Sequence, residues 1–202
     1  GSALFLPILK ALEGDAEPMA PLRTAAHLDR LGRIWRAAQP AISRSVGDVP
    51  ESPFLVEKLL APDAIRELRD KAPAPGGARR KVVRWEPPGE ISPFHESAMA
   101  ATTHFAVADR HGNIVCATQS QSLHFGAGVV PPGTGVVMNN SMMNFSTTNA
   151  RSPNYVAAGK RPTSTIGPTI VLRDGRPVLA VGVPGSSRIP TALLQVLYER
   201  LA

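Results

Sequence analysis

Thr102-Thr103-His104-Phe105-Ala106-Val107-Ala108-Asp109 is the stretch on which the fold turns. It is rich in β-branched and aromatic residues, and it runs into the turn string Asp109-Arg110-His111-Gly112-Asn113. A second apolar run, 114–119, follows at once, so the pattern predicts a hairpin. Ahead of it lies Glu96-Ser97-Ala98-Met99-Ala100-Ala101, a run of mostly small residues. A hydroxyl residue at the mouth of a strand, behind a cuttable linker, suggests a nucleophile released by self-cleavage. The freed α-amine of Thr102 would then take the proton of its own hydroxyl. Local sequence alone favours a plainer reading, in which Thr102 is one more β-branched residue opening a strand.

The chain changes character at this point. Upstream, apolar spacing predicts helices over residues 3–12 and 21–38, the second with Leu22, Leu28, Leu31, Ile34 and Trp35 on one side and Arg30, Arg33 and Arg36 on the other. Two shorter helices are predicted over 53–60 and 62–71, each opening with proline. Residues 72–101 carry eight prolines and glycines without a helical period and read as an extended connection. Downstream, strands are predicted over 136–139, 169–172 and 178–183. The last two flank Arg173-Asp174-Gly175-Arg176, and a helix follows over 189–201.

At 202 residues, 43% hydrophobic and 19% charged, the composition is that of a globular chain or a piece of one. The net charge of +6 is uneven. Residues 1–101 hold 14 Lys and Arg against 13 Asp and Glu, and residues 102–202 hold 8 against 3. The second half is thus poor in acid rather than rich in base, which argues against a nucleic-acid partner. The basic cluster Arg79-Arg80-Lys81 reads as solvated linker. Cys116 is the only cysteine, so no internal disulfide forms, and an apolar strand is its expected setting. No run of about 20 apolar residues predicts a membrane span. The histidines have no ligand spacing, so no metal and no cofactor is expected. No signal peptide is visible, and the opening residues read like the inside of a helical protein, so the N-terminus is expected further upstream.

Read in order, Thr102-Thr103-His104-Phe105, Asp109-Arg110-His111-Gly112-Asn113, Phe125-Gly126-Ala127-Gly128, Asn139-Asn140-Ser141-Met142-Met143-Asn144-Phe145-Ser146, Lys160-Arg161-Pro162-Thr163-Ser164-Thr165 and Pro184-Gly185-Ser186-Ser187-Arg188-Ile189 form one set. The set resembles the γ-glutamyltranspeptidases, a family of N-terminal-nucleophile hydrolases, across the whole of residues 102–202. The resemblance implies an α+β fold, a four-layer αββα sandwich of which this chain is a fragment. The helices of 3–71 and 189–201 would cover its faces. Residues 1–101 would be the end of a large-subunit-like helical region with its linker, and residues 102–202 the start of a small-subunit-like catalytic β region. The remaining segments of both subunits would be its partners.

The same resemblance implies cleavage between Ala101 and Thr102, with Thr102 as nucleophile. Ser120 would be the hydroxyl that orients it; the plain alternative is a strand-end serine bonding its own backbone. Gly185 and Ser186 would supply backbone N–H donors to an oxyanion. The family usually has two glycines there, and Ser186 restricts φ if positive values are needed. A simple helix cap is the other reading of these residues. Ser164 and Thr165 would grip a substrate α-carboxylate. The family's acidic residue for the substrate ammonium is replaced by Asn144, and two supporting positions are Ser122 and Ser141. A neutral amide cannot neutralise an ammonium, so recognition of a free α-ammonium is expected to be weaker or altered. Residues 146–160 fall where the family has a mobile lid.

The activity implied is transfer of a γ-glutamyl group, from glutathione or related amides, to water or an amine. Two alternatives stand beside it. One is an acylase for amides without a free α-ammonium, of the glutaryl- or cephalosporin-acylase kind. The other is an uncleaved, inactive homologue acting as a binding protein.

Overall fold

The computed structural model describes residues 2–13, 22, 24–75 and 101–201. Most of the expected connection over 72–101, with Arg79-Arg80-Lys81, lies outside the described residues. A 3-10 turn, Ser2–Leu4, leads into α1, Leu6–Leu12, which buries Pro7, Ile8, Ala11 and Leu12. Helix α2 spans Ala25–Ser45, and Thr24 caps it by accepting a hydrogen bond from His27 N at 3.3 Å. Helices α3, Ser52–Leu59, and α4, Pro62–Asp70, each carry a proline in the first turn, where its missing N–H costs nothing.

Helix α2 departs from expectation in length and in face. It continues through Pro40 to Ser45 instead of stopping near residue 38. Pro40 forfeits one intrahelical bond. The helix persists because Ala38 and Ile42, on either side, are buried in the core. The expected polar side is also wrong in part. Arg30 and Arg33 are buried, whereas Leu22 and Leu28 are exposed. Each guanidinium has found partners: Arg30 Nη1 donates to Tyr198 Oη at 3.4 Å, Arg33 Nε to Asp29 at 2.8 Å and Arg33 Nη1 to the Pro73 carbonyl at 3.2 Å. Paired in this way, a buried cation is tolerated.

Four antiparallel strands form two hairpins: β1, Thr102–Ala108, with β2, Ile114–Ser120, and β3, Thr169–Arg173, with β4, Arg176–Val181. The first turn is fixed by Asp109, whose carboxylate accepts from His111 N at 2.8 Å and Asn113 N at 2.9 Å. In the second, Asp174 and Gly175 both take positive φ, 52° and 75°, as a two-residue hairpin turn of this hand requires. The expected strand over 136–139 does not form. Met138 instead exchanges backbone bonds with Ala127 and Val129 across an irregular loop, and Gly126 packs so closely that a Cβ there would lie 2.0 Å from the Met138 carbonyl.

The last helix, α5, spans Ile189–Leu201. It shares a single core with α1, α2 and α4, in which Phe5, Ile8, Ile34, Leu193 and Leu197 are almost fully buried. The second hairpin lays Val171, Leu179 and Val181 against that core. The first hairpin meets the second through Cys116, whose Sγ lies 3.7 Å from the Thr169 carbonyl and 3.6 Å from that of Val181. The thiol is therefore half-buried among polar groups, not in an apolar strand core. Among the described residues, α1, α2, α4 and α5 share one apolar cluster, against which the second hairpin packs. Burying one shared apolar cluster removes more surface from water than two small ones. Among the described residues the order is thus helices, hairpin, hairpin, and the outer residues Phe105, Val107 and Val115 stay exposed. No helix among the described residues is long and apolar enough to cross a membrane.

Candidate active site

Antiparallel register sets Thr102, the first residue of β1, opposite Ser120, the last of β2. Their side chains meet: Thr102 Oγ1 donates to Ser120 Oγ at 3.0 Å. Ser120 Oγ in turn accepts from Ser122 N at 3.0 Å, which holds that hydroxyl in place from below. Ser122 turns the chain with φ of 70° and meets Ser141 hydroxyl to hydroxyl at 3.1 Å. Ser141 opens a 3-10 turn, Ser141–Asn144. Hydroxyls and the Ser122 backbone N–H together therefore link the strand ends to the turn that carries Asn144. The Asn144 carbonyl accepts from Asn154 Nδ2 at 2.7 Å, and Asn154 Oδ1 accepts from Thr163 N at 3.0 Å. Asn154 so ties the 146–160 loop to both neighbouring walls.

The chain next to Thr102 is also held. The Ala101 carbonyl accepts from Gln121 N at 3.2 Å, and Ala101 N donates to the Ser122 carbonyl at 3.5 Å. Beyond β4 the backbone passes Gly185, at φ 143°, and Ser186, at φ 53°, before the 3-10 turn Ser186–Arg188. Ser186 thus does adopt the left-handed region, which is unusual for a residue with a side chain. Gly185 caps this turn with no side-chain capping bond. Thr165 Oγ1 donates to the Ser186 carbonyl at 2.9 Å. The proton of Thr165 is therefore committed to the Ser186 turn. Ser164 Oγ accepts from Ile166 N at 3.2 Å, which leaves its proton available to an incoming anion.

These groups surround a cleft of about 480 Å³. Thr102, Ser120, Ser122, Ser141, Asn144, Ser164, Thr165 and Ser186 all border it; Gly185 does not. The cleft has further walls that sequence reasoning missed. Gln39, Ile42 and Ser43 reach it from the last turns of α2 and Val46 from its C-cap, with Ser152 and Asn154 from the loop and Thr163 just beyond it. The spacing 39, 42, 43, 46 is helical, and only Pro40 hides it in the sequence. None of the described residues lining the cleft is ionisable.

An ion pair clamps its rim. Asp48, just past α2, accepts from Arg161 N at 2.8 Å and Nε at 3.2 Å through one oxygen, and from Nη2 at 3.0 Å through the other. These bonds hold the Asp48 carboxyl down to about 2. Beside it Gly47 lies against Pro153, where a Cβ would come within 2.3 Å of the carbonyl oxygen. Lys160 Nζ folds back on the carbonyls of Pro153 and Tyr155 at 2.7 and 3.0 Å.

A model of the family described as Gamma-glutamyltranspeptidase matches residues 1–202. The glutathione hydrolase proenzyme of Bacillus subtilis strain 168 is 43% identical over 208 residues, covering 98% of this chain and 35% of that protein. The acylase ACY 1 proenzyme of Pseudomonas sp. strain SE83 is 44% identical over 100 residues, covering 50% of this chain and 18% of that protein. Among solved structures, the cephalosporin acylase from Bacillus halodurans superposes with a TM-score of 0.72 at 27% identity, over 100% of this chain and 34% of that one. The chain spans between about a fifth and about a third of the length of the curated relatives it matches.

Proposed function

The chain belongs to the gamma-glutamyltranspeptidase family, and from that premise we propose that the full-length protein is a self-activating amidohydrolase and acyltransferase acting on γ-glutamyl amides such as glutathione. The observation that carries this reading is the Thr102 to Ser120 hydroxyl pair at 3.0 Å, on the wall of a cleft that also presents Ser164 and Ser186. The complete protein would close these hairpins into the αββα sandwich of N-terminal-nucleophile hydrolases. Residues 1–101 and 102–202 would fall on the two products of maturation.

Maturation begins when Thr102 Oγ1 attacks the Ala101 carbonyl carbon. The C–N bond breaks, the hydroxyl proton passes to the leaving nitrogen, and the acyl chain sits on Thr102 as an ester. Water hydrolyses the ester, leaving a carboxylate on Ala101 and a free amine on Thr102. That amine titrates near neutrality, so at pH 7 it has a usable lone pair that an amide nitrogen lacks. In turnover it takes the Oγ1 proton as the oxygen attacks the substrate amide, and it returns the proton to the departing amine. Ser120 holds Oγ1 in line. The N–H of Ser186, on the cleft wall, receives the negative charge that develops on the substrate oxygen, an effect worth roughly 3 kcal/mol per donor in comparable sites; Gly185, one residue behind that wall, would supply the second donor by turning its N–H inward. Ser164 donates to the substrate carboxylate. Water or an acceptor amine then resolves the acyl-enzyme.

A second reading has a specific observation behind it. Asn144 stands where the family's acid would meet the substrate ammonium, and none of the described cleft residues is ionisable. An amide whose acyl group lacks that ammonium, such as a glutaryl amide, would lose nothing here. Similarity to an acylase fits the same reading.

The test is N-terminal sequencing of matured full-length protein together with rates on γ-glutamyl and glutaryl anilides. We expect a new terminus at Thr102, turnover of the γ-glutamyl compound, and an unbroken, inactive chain for Thr102→Ala. A Thr102→Ala protein that hydrolyses either anilide at the parent rate overturns the proposal.

A further inference from the structure

The geometry points to His104 and Gly182 as a joint that sets the nucleophile's strand against the oxyanion turn, with His104 as a positioning residue for the Thr102 chemistry. This rests on the reading of Thr102 given above. Thr102 and His104 are two apart on β1 and so face the same way. Their cross-strand partners are Ser120 and Thr118. His104 Nδ1 lies 2.7 Å from Thr118 Oγ1, and Nε2 lies 3.7 Å from Cys116 Sγ. Both ring nitrogens are thus engaged from β2, and the ring stands on the face turned to the second hairpin.

Just past the end of that hairpin, the ring lies against Gly182. A Cβ built at Gly182 would lie 2.2 Å from His104 Nδ1 and 2.3 Å from Cε1. Contacts of that length do not occur, so any other residue at 182 must expel the ring or move the strand. The backbone of Gly182 is not in the left-handed region, unlike that of Gly185. Glycine is needed here for close approach alone. Gly182 follows the last residue of β4 and precedes Gly185 by three, with Val183 packed on the helical core. The approach of β1 to Gly182, three residues ahead of the Gly185-Ser186 turn, is therefore set by the imidazole of His104. Neither His104 nor Gly182 lines the cleft, so both act only through what they position.

A reciprocal pair of substitutions in the full-length protein tests this. Gly182→Ala adds the Cβ that collides with the ring. Gly182→Ala/His104→Ala removes the ring that it strikes. Matured proteins are compared on a γ-glutamyl anilide, with melting temperatures alongside. We expect Gly182→Ala to lower kcat by about 100-fold with KM within about threefold, the signature of displaced reacting groups. The double variant should recover to within about threefold of His104→Ala alone, a coupling that independent sites do not show. His104→Asn, which can still bond Thr118, should retain more kcat than His104→Ala. Losses that multiply in the double variant, or parent-level kcat in Gly182→Ala, overturn the joint. If Gly182→Ala does not mature, the same comparison is read on the rate of self-cleavage, where rescue by the second substitution supports the joint and its absence refutes it. Failure of the catalytic reading itself would show separately, as turnover by Thr102→Ala.

Discussion

Asp48 and Arg161, 113 residues apart in sequence, meet through three hydrogen bonds of 2.8, 3.0 and 3.2 Å at the rim of the cleft. One partner follows helix α2 and the other follows the 146–160 loop, so the pair fastens the loop to the helical half. The carboxyl, at 3.8 when unperturbed, is held at about 2 by Arg161. A folded value below the unfolded one means that the contribution is complete above about pH 3.8 and is lost as pH falls through about 2. Asp48→Asn should therefore lower the melting temperature at pH 5 and cease to differ from the parent near pH 2. Equal melting temperatures at pH 5 would show the clamp to be energetically idle. High salt should shrink the difference, since Arg161 is mostly exposed.

Ser164 and Thr165 are adjacent and alike in chemistry, yet their protons are differently placed. Thr165 has given its proton to the Ser186 carbonyl at 2.9 Å, and Ser164 has not spent its own. Steady-state kinetics of the full-length protein should separate them. Ser164→Ala should raise KM with little change in kcat. Thr165→Val, which loses a hydrogen bond worth about 1 kcal/mol, should lower kcat roughly fivefold, and Thr165→Ser should restore it. If both single losses fall on KM alone, Thr165 is a substrate ligand and not a brace for the turn.

Ser186 contributes its backbone, on our reading, and its side chain is a burden at φ 53°. Ser186→Gly keeps the N–H and relieves a strain of about 1 kcal/mol, offset by the looser unfolded chain. Its kcat should equal or exceed the parent's. A drop beyond about tenfold would mean that the hydroxyl itself takes part.

Asn144→Asp places a carboxylate in a cleft whose described lining is otherwise uncharged. An ammonium-bearing γ-glutamyl anilide should gain about tenfold in kcat/KM over a glutaryl anilide, because a charge-assisted bond is roughly twice as strong as a neutral one. Unchanged relative rates would remove Asn144 from the specificity of the site.

Much of this architecture was legible from residue patterns. Both hairpins announce themselves through alternating strands and turns whose residues are suited to them, with Asp109 bonding the backbone and Asp174-Gly175 accepting positive φ. The end-to-end pairing of Thr102 with Ser120 follows from the same reading, since turn length fixes register. What failed did so where tertiary contacts override local rules. Pro40 should stop a helix, but Ala38 and Ile42 are already committed to the core, and the extra turns carry Gln39 and Ser43 into the cleft. Arg30 and Arg33 should face water, but Arg30 reaches the buried Tyr198 hydroxyl, and Arg33 is bonded by Asp29 and the Pro73 carbonyl at the surface. The apolar run at 136–139 looks like a strand, yet Gly126 brings the Ala127 backbone to Met138 and leaves no regular ladder. No local pattern marks Asn154 either, because its role depends on two walls that are 10 and 9 residues away in sequence.

The place of Thr102 at the open end of its hairpin has one last implication. All seven rungs between the first two strands, from Thr102 with Ser120 to Ala108 with Ile114, lie on the far side of the Ala101 peptide bond from helices α1 to α4. Severing the chain ahead of Thr102 would unzip none of them. Among the described residues, the bonds it would loosen are the two tethers of Ala101, at 3.2 and 3.5 Å. The scaffold could outlive its own cutting.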